Sequence, residues 1–297
     1  MDAHIALDRR QGSIASIVGI VGEVLLAAGL IILLFVTFEI FGTAYLAGNY
    51  QRSLTNSLAP TIHTSTRPVV NHAPPRVAPP SHAPIPTNGT PIAILSIPAL
   101  DLTTVVVQGT NTLSLERGPG HYRHTPMPGE AGNVAIAGHR TTWGRPFYNL
   151  DQVPIGSLMT LSSPQGVFTY RLKRLFVVNP KHVKVLRPTL RPSLTLTTCN
   201  PRFSASTRLV ARAVLVGSSL TPAPKVSWPR SAAPSAPPNV TFAWILGMLS
   251  TLIVSATLVL MHLIRRTWLV LVIGVPASTI VVIGFFAAVT PFLPANL

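Results

Sequence analysis

Three long apolar runs frame this chain and limit what can lie between them. Ile14 to Phe38 is almost continuously apolar, interrupted by Glu23 and preceded by Asp8, Arg9 and Arg10. Phe242 to Ile264 and Trp268 to Ala288 are two more, separated by Arg265-Arg266. A helix crossing about 30 Å of hydrocarbon needs about 20 apolar residues, whereas the apolar core of a secretory leader runs about 7 to 15. The first run is therefore read as an uncleaved anchor, with transmembrane helix 1 over 14–41; a cut near Leu46-Ala47-Gly48 is the alternative. The other two are read as transmembrane helices over 242–264 and 268–290, joined by a cytoplasmic turn at 265–267. Charged residues make up 10% of the 297 and mean hydropathy is +0.44. Soluble domains carry about 25% charged residues, so an ordinary cytosolic protein is excluded.

Basic residues next to apolar spans stay on the cytoplasmic side. Arg9-Arg10 and Arg265-Arg266 then fix residues 1–13 inside, and place the central segment and the C-terminal 291–297 outside. Residues 45–240 hold 19 of the 23 Lys and Arg and 4 of the 8 Asp and Glu, and so carry the whole net charge of +15. A basic exported body favours anionic partners. On this side of a cell membrane those are membrane lipid and cell-wall polymers, and nucleic acid is not expected.

Two segments are proline-rich. From Pro60 to Pro98 there are ten prolines mixed with Ser, Thr, Ala and His, and from Pro222 to Pro238 there are six more. Proline fixes φ and these stretches have little apolar surface to offset ordering, which predicts an extended extracellular stalk over 42–90 and an extracellular linker over 218–241. What remains, 91–217, reads as one all-β domain. Runs of Val, Ile, Thr and Phe at Ile92–Ile97, Thr103–Val107, Asn133–Ala137, Val167–Val178, Leu194–Thr198 and Arg208–Val216 are parted by Gly, Pro and Asn clusters. A barrel or sandwich of this size can hold one core.

Cys199 is the only cysteine, so it forms no intramolecular disulfide. It ends the run Leu194-Thr195-Leu196-Thr197-Thr198-Cys199 and is followed by the turn signal Asn200-Pro201. Strand alternation puts Leu194 and Leu196 on one face and Cys199 on the other with Thr195 and Thr197. His139 falls opposite Val134 and Ile136 in the same way, and Arg208 and Arg212 fall opposite Leu209 and Leu215. A thiol, an imidazole and a guanidinium at strand ends suit acyl transfer. The thiolate attacks, the imidazolium protonates a departing amine, and the guanidinium holds a carbonyl or oxyanion. Arg202 and Arg212 compete with Arg208 for the last role. Four carboxylates in the exported part supply a Ca²⁺ site poorly, His63, His72 and His82 have poor zinc spacing, and no metal or cofactor is expected.

Gly118-Pro119-Gly120-His121-Tyr122, the run Gly132 to Thr142 containing Ala137-Gly138-His139-Arg140, Thr195-Leu196-Thr197-Thr198-Cys199, and an Arg nine residues after the cysteine together resemble the sortases. The similarity is greatest to the class E housekeeping sortases of actinobacteria. The resemblance implies a closed eight-stranded β-barrel and a membrane-anchored cysteine transpeptidase, a thiol-protease type of hydrolase. Cys199 would cleave an L-A/P-x-T-G sorting signal of secreted proteins between Thr and Gly, forming a thioester. His139 would move the proton and Arg208 would steady the oxyanion. An amine of a peptidoglycan precursor such as lipid II would release the protein onto the cell wall. Class E sortases prefer L-A-x-T-G, a choice associated with a tyrosine for which Tyr122 is the candidate; Thr198 and Asn200, flanking the nucleophile, are further substrate-binding candidates. Asn200 and Arg123 stand where relatives often have His and Pro. Two rival readings stay open: an L,D-transpeptidase-like wall enzyme, whose kind has His-Gly-Cys where this chain has Thr197-Thr198-Cys199, and a non-catalytic stalk-mounted β-domain that binds anionic polymers.

Overall fold

The computed structural model describes residues 35–63, 85–217 and 282–285, with isolated positions between 19 and 33. Most of the three expected membrane spans, the stalk over 64–84 and the linker from 218 lie outside the described residues. Among the described residues no helix is long and apolar enough to cross a membrane.

Eight strands close into a barrel: β1 (Pro91–Ile97), β2 (Leu102–Gln108), β3 (Gly120–His121), β4 (Asn133–Ala137), β5 (Leu158–Ser163), β6 (Gly166–Val178), β7 (Ser193–Asn200) and β8 (Thr207–Leu215). Around the barrel their order is β1-β2-β3-β4-β7-β8-β6-β5. The β2–β3 and β4–β7 pairs are parallel and the others antiparallel. Closure removes the free edges that an open sheet would expose. The expected eight-stranded all-β barrel is thus present.

Alternation explains the interior. Leu95 and Ile97 of β1, Val134 and Ile136 of β4, Leu194 and Leu196 of β7, and Leu209, Ala211 and Ala213 of β8 join one buried core with Met159, Leu161, Tyr170 and Leu172; Ile92 joins it out of step, beside the register shift that opens β1. Tyr170 is buried because its hydroxyl accepts the Gly129 N–H at 3.0 Å, which satisfies the polar end of an otherwise apolar side chain. Two strands had no clear sequence signal. β3 has only two residues, and β5 (Leu-Met-Thr-Leu-Ser-Ser) is half polar.

The extended stalk expected over 42–90 is corrected in its first half. A π-helical turn, Phe38–Gly42, runs into a 21-residue α-helix, α1 (Thr43–His63), with Pro60 in its last turn. Thr43, Ala47, Leu54 and Leu58 are buried at helical spacing, and Leu54 and Leu58 pack on Val105 and Val107 of β2. Burying a leucine side chain contributes about 1.5–3 kcal/mol. Two such side chains on a sheet offset the weak propensity of the Ser-, Thr- and Asn-rich outer face, which read as stalk.

Candidate active site

The site is built where β4, β7 and β8 end together. In the parallel β4–β7 ladder Ala137 faces Thr197. One step further the Gly138 N–H donates to the Thr197 carbonyl at 3.0 Å, and the Thr198 hydroxyl donates to the Gly138 carbonyl at 2.8 Å. His139 and Cys199 are the next residues on each chain, so both leave the barrel at the same end. A Cβ on Gly138 would stand 2.6 Å from Phe147, so only glycine lets this turn lie so close to the core. On the other side of β7, Arg208 is the register partner of Cys199. The three residues picked out by strand parity therefore stand on neighbouring strand ends at one rim of the barrel.

Register also separates the competing arginines. Arg212 faces Thr195, four residues before the cysteine, and donates to the Val185 carbonyl. Arg202 lies over the Tyr148 ring at 4.5 Å and reaches Asp151 at 3.2 Å. Arg208 is half-buried, and its Nη1 donates to the Ala205 and Thr207 carbonyls at 2.9 and 3.1 Å, which holds the guanidinium at the head of β8, the strand position paired with Cys199.

His139 is 7% exposed, with Nδ1 3.5 Å from the Thr142 hydroxyl and Nε2 buried without a hydrogen-bond partner among the described residues. Burial pushes its pKa down from 6.5 to about 4. The resting imidazole is consequently neutral, able to accept a proton and reluctant to keep one. Cys199 is a free, half-buried thiol.

Arg140, which in the sequence is one residue of the Ala137-Gly138-His139-Arg140 motif, ties the site together. It is 3% exposed. Its Nη1 donates to the Cys199 carbonyl at 3.2 Å and to Asn200 Oδ1 at 2.7 Å, its Nε to the Tyr148 carbonyl at 3.4 Å, and its Nη2 pairs with Asp151 at 2.8 Å. One guanidinium thus joins the loop after His139 to the backbone of Cys199. Nothing in the spacing signals this, because Asp151 and Asn200 reach Arg140 only through the fold.

Tyr122 stands half-buried over the β7 face, its hydroxyl 3.3 Å from the Thr197 hydroxyl, two residues before Cys199. Below it His121 is fully buried, bonded to Gln108 Oε1 and the Pro126 carbonyl, each at 2.9 Å, and to the Thr125 hydroxyl at 3.0 Å. Further down β7 the turn Val183–Leu186 is pinned through its Val185 carbonyl by Asn133 and Arg212. Along this face Cys199 is half-buried, whereas Thr197, against the Tyr122 hydroxyl, and Thr195, bonded to Asn133 Oδ1 at 2.6 Å, are buried. Thr198 and Asn200 are engaged within the protein, Thr198 on Gly138 and Asn200 on Arg140 and on the Thr207 hydroxyl at 3.0 Å. Among the described residues no group of three or more His, Cys, Asp or Glu side chains gathers as metal ligands would.

The sortase-domain family model matches residues 95–216, which is the barrel from β1 to the end of β8. The chain is 32% identical over 139 residues to sortase D of Bacillus subtilis, covering 46% of this chain and 67% of that one. It is 29% identical over 218 residues to sortase SrtE1 of Streptomyces coelicolor, covering 68% of this chain and 58% of the relative, so it spans little more than half of that protein's length. Among solved structures it is similar to sortase E from Streptomyces avermitilis, at 36% identity and a TM-score of 0.41, covering 44% of this chain and 91% of that one. With motifs, matched domain and relatives in agreement, the chain belongs to the sortase family, with class E sortases among its relatives.

Proposed function

We propose that this protein is a membrane-anchored cysteine transpeptidase that cleaves a C-terminal sorting signal between Thr and Gly and passes the acyl group to an amine. The observation that carries this reading is the register: Cys199 faces Arg208 across β7–β8, and His139 leaves the barrel one residue past the bonds that join β4 to β7.

The proton inventory then closes. Neutral His139 takes the Cys199 proton, and the thiolate attacks the threonine carbonyl carbon. The developing oxyanion is held by Arg208, a donor fixed before the reaction begins. As the C–N bond breaks, His139 returns the proton to the departing glycine amine, leaving a thioester and a neutral imidazole. An incoming amine attacks the thioester carbonyl and loses a proton to His139, the C–S bond breaks, and the imidazolium protonates the released thiolate. The depressed basicity of His139 favours both proton deliveries, because the buried cation is unstable.

The rim around the half-buried Cys199 is where the extended sorting signal docks, with Tyr122 beside the residues that precede the scissile bond. L-A-x-T-G is the expected signal and a peptidoglycan-precursor amine such as lipid II the expected acceptor. Thr198 and Asn200 serve here by fixing the rim, since their polar groups are already bonded within the protein. The apolar runs over 14–41, 242–264 and 268–290 support a multi-pass anchor in the cell membrane with the barrel outside. A quenched fluorescent L-A-x-T-G peptide tests the reading. Turnover that needs Cys199, with amine-capped product when an amine is added, supports it; binding without turnover supports a non-catalytic module instead.

A further inference from the structure

Helix α1 ends its buried face on the loop that carries His139. Thr43 is fully buried and its hydroxyl oxygen accepts the Trp143 N–H at 3.2 Å. One turn on, Ala47 is 3% exposed and lies against Gly144, where an added Cβ would stand 3.4 Å from that of Ala47. Trp143, Gly144 and Arg145 all have φ in the left-handed region, at 52°, 74° and 42°. For Trp and Arg that conformation is costly and persists only where the surroundings hold it. Thr142, whose hydroxyl faces Nδ1 of His139, directly precedes them.

A second fastening keeps the helix in place. Because β3 has only two residues, it pairs with β2 only at Val107 and Gln108. The buried Val105 peptide groups on that side need partners of another kind. Gln51 supplies them: its Oε1 accepts from the Val105 N–H at 2.7 Å and its Nε2 donates to the Val105 carbonyl at 3.1 Å and to the Arg117 carbonyl at 2.7 Å. A carboxamide carries the same donor and acceptor as a peptide group, so the side chain acts as one more rung. Gly118 is required here, since a Cβ would stand 2.7 Å from the Val105 carbonyl oxygen as well as crowding Gln51 Nε2.

We propose that α1 is a positioning element of the catalytic centre: Gln51 locks it to the β2–β3 seam, and Thr43 holds the Trp143–Arg145 turn so that His139 is presented to Cys199. This rests on the transpeptidase reading for His139, and it makes the segment preceding the barrel part of the enzyme rather than a tether.

The test uses the detergent-solubilised full chain with Thr43→Val, Thr43→Ser, Ala47→Val and, on the outer face of the helix, Ser53→Ala. Two quantities are measured: hydrogen exchange at the Trp143 amide, and kcat and KM for Cys199-dependent peptide turnover. Thr43→Val is expected to speed Trp143 exchange and to lower kcat about fivefold, the size of one neutral hydrogen bond, with KM unchanged. Thr43→Ser restores both, Ala47→Val behaves like Thr43→Val, and Ser53→Ala matches the parent. Wild-type exchange and kcat in both Thr43→Val and Ala47→Val, or a Thr43→Ser as impaired as Thr43→Val, would overturn the proposal. If the parent does not turn the peptide over, the transpeptidase reading fails, and the exchange measurement still decides whether α1 holds the loop.

Discussion

Replacing Arg140 by Met, at similar volume, should damage stability and chemistry together. The parent guanidinium is 3% exposed and bonds the Cys199 and Tyr148 carbonyls, Asn200 Oδ1 and Asp151. Hydrogen bonds from a charged donor contribute about 1.5–3 kcal/mol each in well-formed cases, but only the 2.7 Å bond to Asn200 is short enough for the upper range. Asp151 is 40% exposed, so water screens that ion pair to about 0–1 kcal/mol. Allowing the Cys199 and Tyr148 carbonyls to recover water, the loss comes to about 3 kcal/mol for Met and about half that for Lys, which keeps the charge but not the fork. The same change frees the Cys199 backbone, and a displacement of about 1 Å can slow a positioned reaction about 10²-fold. Denaturant unfolding of the full chain in detergent gives the first quantity, and the single-turnover rate of thioester formation gives the second. A stable Arg140→Met would refute the stability estimate. A destabilised variant that acylates at the parent's rate would refute the link between Arg140 and the nucleophile.

Three further outcomes follow from the geometry. Arg208→Ala should slow acylation about 10²-fold, as expected for loss of one oxyanion donor, while Arg212→Ala leaves that rate within a few-fold; equal effects in the acylation assay would remove the assignment made from register. Tyr170→Phe leaves the buried Gly129 N–H without its acceptor and should cost about 1–3 kcal/mol in denaturant unfolding, and an unchanged midpoint would contradict that. Burial raises the pKa of Glu116 from 4.5 to about 7, partly opposed by Arg117. Between those values the folded chain holds a proton that the unfolded chain has lost, so this group makes stability fall as pH rises. His121 and His139, both lowered to about 4 by burial, act in the opposite sense and make stability fall as pH drops below 6.5. Glu116→Gln should therefore gain on the parent progressively from pH 4.5 to 7, by up to about 3 kcal/mol, and should steepen the loss of stability on acidification. A pH-independent difference between the two would show that Glu116 does not titrate as its burial requires.

Strand parity made the rim legible because a two-residue period forces Cys199, His139 and Arg208 away from Leu196, Ile136 and Leu209 whatever the sheet order. Which strands are neighbours is not a local property. That β4 lies beside β7, and β8 on its other side, brings the three residues to one rim, and register also separates Arg208 from Arg212. The same reason hid Arg140, whose partners are 8 to 60 residues away in sequence. β3 leaves no trace in the sequence because two residues show no period, and α1 little because polar residues cover the side of it that faces away from the barrel. Its four buried positions, Thr43, Ala47, Leu54 and Leu58, do have helical spacing, but a run so rich in Ser, Thr and Asn next to Pro60 reads as extended chain.

Incubating the full chain with an L-A-x-T-G peptide and no added amine, then measuring intact mass after an acid quench, tests the account most directly. The expected result is an adduct of the L-A-x-T fragment on Cys199, released as Gly-truncated product by an added amine, lost in Cys199→Ala and slowed in His139→Gln. An adduct that forms equally well without His139, or bound peptide with no mass added to Cys199, would contradict the claim that the rim of this barrel performs acyl transfer.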